Sequence, residues 1–228
     1  MHGSRDEISA NLEAIRRGIA AACDRAGRDP TDVQLVAAAK SVPAEVVGWV
    51  VEEGVRAVGE NYVKELREKH ARLHGVVWHF IGALQSNTAR HVAELADVVE
   101  TVSGTHAPLR LARRAAAAGR KLDAMIEVDL TGHRTGVTAA DTPDFADRVA
   151  ALEGLRLTGL MTLPPMPESA EDSRRAFVQL RALRDRIRDK HPEVLELSMG
   201  MSLDYRVAVE EGATMVRIGT ALFGPRTA

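Results

Sequence analysis

A chain of 228 residues, 45% of them hydrophobic, is long enough to bury the core of one large domain, a (β/α) barrel included. Its 30 basic and 32 acidic residues are interspersed and leave a net charge of -2, which argues against a nucleic-acid surface; the single cysteine, Cys23, excludes an intrachain disulfide and fits a reducing compartment. The charged start has no apolar signal core and no later run reaches membrane-spanning length, so a cytoplasmic protein with no membrane contact is expected.

Ser4 and Glu7 form a capping-box pattern, after which Ile8, Leu12, Ile15, Ile19 and Ala22 recur at helical spacing as far as Gly27. This leading helix, residues 1–27, could cap the bottom of the fold. Beyond it, apolar runs alternate with helical patterns. Strands are read at 33–39, 55–58, 76–81, 98–102, 122–128, 155–161, 194–197 and 215–218, and helices at 43–53, 63–73, 88–95, 107–118, 142–152, 170–189 and 203–211. Glycines such as Gly54, Gly119 and Gly212 punctuate the helix ends. Strict alternation without a linker implies parallel strands joined by helical crossovers. Eight such units close into a single (β/α)8 TIM barrel over 33–224, with the whole chain, 1–228, as one domain; a doubly wound open sheet is the alternative.

In such a barrel every strand's C-terminal end faces one mouth, where a site is assembled. The first strand ends at Lys40, and Pro43 then opens a helix. An amine held near an apolar wall loses basicity and can attack a carbonyl. The second strand delivers Gly59-Glu60-Asn61-Tyr62, and the third His79-Phe80-Ile81-Gly82 with Gln85-Ser86-Asn87 beyond it. The fifth delivers Glu127 and Asp129 before the loop Gly132-His133-Arg134-Thr135-Gly136, and the sixth Met161-Thr162-Leu163. The seventh delivers Ser198-Met199-Gly200-Met201-Ser202, and the eighth Arg217 followed by Gly219-Thr220.

The last two clusters are placed where barrels hold a phosphate, after strands seven and eight. Glycines let the backbone approach the oxygens, and Ser198 or Thr220 can donate a hydroxyl. A phosphate cradle facing a lysine suggests a phosphorylated carbonyl compound between them. Pyridoxal 5'-phosphate fits, with the lysine as an internal aldimine; a class I aldolase-like sugar phosphate enzyme fits too. Arg217, if it points inward, favours the first by donating to a pyridine nitrogen, which it would leave unprotonated. Its plainer reading is an ion pair with an inward carboxylate such as Glu127. His79 reads as a barrel-lining residue. His70 and His74, though four apart, sit on an exposed helical face, and no metal is expected. The arginine-rich helix around Phe177, Leu180, Leu183 and Ile187 is a solvated face over a buried stripe.

Several of these stretches together resemble the pyridoxal phosphate homeostasis protein family: Ala39-Lys40 with Pro43, Gly59-Glu60-Asn61-Tyr62, His79-Phe80-Ile81-Gly82-x-Leu84-Gln85-Ser86-Asn87, Gly159-Leu160-Met161, Leu197-Ser198-Met199-Gly200-Met201-Ser202-x-Asp204, and Val216-Arg217-Ile218-Gly219-Thr220-Ala221-x-Phe223-Gly224. They run from the first strand to the last. The resemblance implies an alanine racemase N-terminal-type barrel that binds pyridoxal phosphate on Lys40. It implies phosphate contacts from Ser198, Met199 and Gly200 and from Gly219 and Thr220, with Arg217 on the pyridine side and Asn61 near the cofactor. Where family members commonly carry lysines this chain has Val42, Thr88 and Arg134, a departure that bears on any second binding site or hand-over step that uses those lysines.

The function implied is buffering or delivery of pyridoxal phosphate, and of related B6 vitamers, within amino-acid and keto-acid balance. Transient contact with cofactor-requiring apoenzymes and a monomer or weak homodimer are expected. Racemases of this type carry an added β-domain that supplies a tyrosine base, and here the sequence ends at Ala228 soon after the last strand, so no catalytic residue is assigned. The alternatives are weak racemase-like activity on a small amino acid and Schiff-base chemistry on a sugar phosphate.

Overall fold

The capping box forms as the sequence predicts: Ser4 Oγ accepts the Glu7 N–H at 3.3 Å, and Glu7 Oε2 accepts the Ser4 N–H at 2.7 Å. Helix α1, Arg5–Ala26, ends at Gly27, whose φ of 64° is left-handed and suited to glycine. The computed structural model describes residues 3–132, 135–165 and 167–225.

After α1 the strands are β1 (Gln34–Ala38), β2 (Ala57–Glu60), β3 (Val77–Phe80), β4 (Val98–Val102), β5 (Leu122–Asp129), β6 (Val137–Thr138), β7 (Leu155–Met161), β8 (Glu196–Ser198) and β9 (Met215–Ile218). Every pairing is parallel, and the ring β1-β2-β3-β4-β5-β7-β8-β9 closes on itself through β9 and β1. That closure excludes the open sheet. The two-residue β6 is outside the ring, pairing only with the end of β5, and is too short for periodicity to register. The second strand begins two residues later than read: Val55 is buried as expected, but its N–H closes the end of the preceding helix on Val50.

The outer helices are α2 (Ala44–Glu52), α3 (Val63–His70), α4 (Ala89–Leu95), α5 (His106–Ala117), α6 (Thr142–Ala150), α7 (Arg174–Arg188) and α8 (Tyr205–Glu210), each following a ring strand. Only the four-residue α9, Thr220–Phe223, follows β9. Helix α1 fills the remaining seat. It packs against α2, α8 and α9 along the barrel wall rather than across its bottom, which corrects the expectation for the leading helix. The reason is its stripe: Ile8, Leu12, Ile15, Ile19, Ala22 and Cys23 are buried along the whole helix, which a cap touching one end could not achieve. Gly18 supports the same contact, since a Cβ there would lie 2.1 Å from Tyr205 Oη on α8.

Side-chain parity separates two interiors. Outward residues such as Ala37, Val58, Phe80, Ile126 and Val216 join the main core under the helices, while Val98, Met125 and Met161 form a small cluster inside the barrel. No helix among the described residues is long and apolar enough to cross a membrane. Because α1 completes the wall, Leu12→Ala should lower stability by about 2–5 kcal/mol, the range for a fully buried leucine. Denaturant unfolding that moves by less than 1 kcal/mol would mean that α1 is an appendage.

Candidate functional site

Arg217 enters the barrel from β9, level with Val36 of β1. It is 4% exposed, so its charge has to be answered inside. One Nη donates to Ser198 Oγ and the other to the Thr162 carbonyl at 2.9 Å. The carboxylate beside it is Glu100 on β4, at 3.6 Å, and not the Glu127 that the sequence offered. Glu100 in turn accepts the Ser198 hydroxyl at 2.5 Å and His79 Nδ1 at 2.7 Å. A carboxylate can only accept here, which puts the His79 proton on Nδ1. Its Nε2 is buried without a protein partner.

Five strands thus contribute to one buried polar layer at the centre of the barrel, in which every named group but His79 Nε2 is paired. Burial pushes the Glu100 carboxyl up, but His79, Arg217 and Ser198 outweigh it and hold it below the ordinary value. Burial also pulls the Arg217 guanidinium down, against the charges of Glu100, Asp204 and Glu127.

Lys40 stands two residues beyond the end of β1, in step with the inward-facing Val36 and Ala38. It is half-buried. Its Nζ lies 5.2 Å from the centroid of the Tyr62 ring, and no carboxylate pairs with it among the described residues. Ala38 is in register with Gly59, and the Ala39 N–H donates to the Gly59 carbonyl, so β2 sets the height of the lysine. Asn61 follows on the same strand end. Its side-chain amide reaches the Ile81 carbonyl at 3.5 Å, and Gly82 is close enough to Asn61 that a Cβ would fall 2.0 Å from the Asn61 oxygen.

The loops after β8 and β9 are stitched together, since Ser202 Oγ accepts the Ala221 N–H at 3.0 Å. Gly200, at φ 91°, brings its backbone against α8, where a Cβ would meet Ala208 Cβ at 2.5 Å. Asp204 holds the loop by accepting the Met201 N–H at 2.7 Å and the Ser173 hydroxyl at 2.6 Å. The Ser198 hydroxyl proton is already given to Glu100, so Ser198 supports Arg217 rather than offering a donor to an anion. The Met199 side chain points outward into the main core, and its N–H donates to the Met215 carbonyl, which leaves it no side-chain role at the mouth. Gly219 and Thr220 open α9, where the first N–H groups of a helix lack intrahelical acceptors. Thr220 is exposed.

Asp129, also read at the mouth, turns its own loop by accepting from Thr131 and Gly132. His133 and Arg134 fall outside the described residues. No group of three or more potential metal ligands occurs among those described.

Comparison with known proteins gives this geometry a lineage. Residues 10–227 match the family model for the alanine racemase N-terminal domain. Two bacterial proteins, each called pyridoxal phosphate homeostasis protein, align almost end to end. The one from Vibrio alginolyticus is 38% identical over 227 residues, covering 96% of this chain and 97% of its own. The one from Pseudomonas aeruginosa is 39% identical over 223 residues, covering 96% of each. The chain belongs to the pyridoxal phosphate homeostasis protein family. Among solved structures of family relatives, PipY of Synechococcus elongatus, determined both without PLP and with PLP bound, superposes with a TM-score of 0.84 at 33% identity, covering 95% of this chain and 100% of that one. Alanine racemase from Clostridium difficile, at 16% identity and a TM-score of 0.79, shares the barrel fold over 60% of its length.

Sequence reasoning missed Glu100 as the partner of Arg217, and with it the five-strand layer. The signal was one acidic residue inside the apolar run Val98 to Val102, at an inward position. It also left Lys69 aside. Lys69 is 3% exposed and bonded to Glu60 on the outer face of β2.

Two outcomes follow from these buried charges. Glu100→Ala leaves Arg217 without its carboxylate and should destabilise the fold by about 3–5 kcal/mol in chemical denaturation. Glu60 behaves in the opposite sense to Glu100. Burial pushes its carboxyl up from 4.5 to about 7 despite Lys69, so the folded state holds that proton more tightly than the unfolded chain. Its ionisation therefore subtracts stability as pH rises from about 4.5 to about 7. The stability difference between the unsubstituted protein and Glu60→Gln should decline across that window and level off above it; a difference that climbs with pH contradicts the assignment.

Proposed function

We propose that this chain binds pyridoxal 5'-phosphate at the barrel mouth, through a covalent, reducible link to Lys40, and serves its homeostasis by holding and releasing it. The observation that carries this is Lys40 itself: a half-buried amine just past the C-terminal end of β1, beside the Tyr62 ring, with no carboxylate pairing to it among the described residues. An amine committed to a carboxylate would be a poor trap for an aldehyde; this one is uncommitted. The family's name and the PLP-bound form of PipY support the choice of ligand.

The residues present fit such a group. Bound pyridoxal phosphate supplies a carbonyl, a conjugated ring acting as electron sink, and a dianionic anchor. The loops 198–200 and 219–220 would hold the phosphate, mainly through backbone N–H groups of Gly219 and Thr220 and the close backbone of Gly200. Arg217 would face the ring and would keep its protons, because a guanidinium is a poor acid even when buried. That favours a quiet cofactor over a reactive one. Asn61 would line the site from β2. We read the protein as a carrier in a bacterial-type homeostasis role without strong catalysis of its own, acting alone or as a weak homodimer and passing the cofactor to apoenzymes by dissociation or brief contact. A cytoplasmic location agrees with the single buried cysteine.

Incubation with pyridoxal 5'-phosphate followed by borohydride reduction and peptide mapping should place the label on Lys40, and Lys40→Ala should lose both label and visible absorbance. A label elsewhere, or one formed only with a sugar phosphate, would overturn the proposal.

A further inference from the structure

Behind the mouth, on the outer face of β2, lies a second charged cluster that the cofactor reading does not use. Lys69 on α3 has a side chain only 4% exposed, and it donates to Glu60, to Glu65 at 3.3 Å, and to the Ala39 carbonyl at 2.8 Å. Its three donors are thereby all engaged. Glu65, besides pairing with Lys69, accepts the Ser41 N–H at 2.7 Å through the same Oε2. Ala39 and Ser41 flank Lys40. The carbonyl gripped by Lys69 belongs to the peptide before Lys40, and the N–H gripped by Glu65 belongs to the peptide after it.

The backbone held this way is not relaxed. The Val42 N–H returns to the Ala39 carbonyl at 3.0 Å, closing a four-residue turn with Lys40 and Ser41 at its centre. Ser41 has a φ of 62°, the one positive value at a non-glycine among the described residues. Turns of this shape normally place glycine there, because a Cβ disfavours the left-handed region. Something must hold Ser41 in it. The turn makes one backbone hydrogen bond of its own; the two bonds that pin its flanking peptides come from α3.

We propose that Lys69 and Glu65, with Glu60 as a buried acceptor that anchors the Lys69 amine, form a clamp that positions Lys40 by fixing both of its peptide units. This rests on the cofactor reading for what Lys40 binds, and on the geometry alone for how Lys40 is held. The clamp works from the outer face of the strand, so it orients the amine without touching the ligand. Lys69 and Glu65 are positioning residues. With the clamp lost, the turn is free to relax toward negative φ at Ser41, and the amine leaves its inward direction.

The test compares Lys69→Met and Glu65→Ala, each with and without Ser41→Gly. Glu65 is partly exposed, so Glu65→Ala keeps the test open if Lys69→Met does not fold. The first readout needs no cofactor: hydrogen exchange at the Ser41 amide should speed up by at least about tenfold in either variant, while the amides of β5 and β7 stay protected. The second is the dissociation constant for pyridoxal 5'-phosphate by absorbance titration, expected to weaken by about tenfold, a factor within the cost of left-handed backbone at a non-glycine. Adding Ser41→Gly should restore most of that affinity, because glycine enters the left-handed region without the Cβ penalty that the clamp otherwise offsets. Unchanged exchange at Ser41 overturns the clamp whatever the cofactor does. Faster exchange with unchanged affinity, or no rescue by Ser41→Gly, overturns the positioning role. Failure of the unsubstituted protein to bind pyridoxal 5'-phosphate overturns the cofactor reading instead, and leaves the exchange result to judge the clamp.

Discussion

A guanidinium at the centre of a closed barrel cannot reach water, so the barrel has to be built around an answer to it. Arg217 receives that answer from Glu100 across the interior, from the Ser198 hydroxyl on the neighbouring strand and from the Thr162 carbonyl beyond it. Because β8, β9, β4 and the end of β7 each supply one member, the layer exists only when the ring is shut. Opening the sheet would strand a charge, and burial without a partner costs far more than the paired arrangement returns. The network therefore couples closure of the fold to placement of Arg217 inside it.

Above that layer, the mouth divides its work between the two faces of the strands. Inward positions present Lys40, Asn61 and the glycine loops, while outward positions of the same strand ends reach the helices. Glu60 illustrates this: it neighbours Asn61 in sequence but points the other way, to Lys69 on α3. The outer charges hold backbone and the inner groups are left for a ligand. Lys40, half-buried and without a carboxylate partner among the described residues, contrasts with Lys69, which pairs with both Glu60 and Glu65.

The gathering of the candidate residues at one mouth was legible because it depends on local pattern. Alternating strand and helix periods predicted the barrel, barrel geometry placed strand ends at one mouth, and Lys40, Asn61, Arg217 and the glycine loops fell there. The sequence set Ser198 and Met199 at the strand end but not the direction of their side chains: one hydroxyl is spent on Glu100, and one side chain is buried under the helices. Orientation depends on strand parity near a loop, and a boundary uncertainty of one residue reverses it. The leading helix was read correctly as a helix, yet its seat in the barrel wall depends on α9 being too short to fill it.

By itself, then, the sequence determined the order and kind of the elements, the closed parallel architecture, the mouth at which the candidate residues gather, and the family. Those follow from periodicity, capping residues and contiguous motifs, all of which act over a few neighbouring residues. Only the tertiary structure decided that Arg217 pairs with Glu100, that α1 serves as the eighth wall helix, and that Ser41 is held left-handed by groups from α3. These depend on closure and register, which bring together residues such as Glu100 and Ser198 that are 98 positions apart. No local pattern encodes such a pairing.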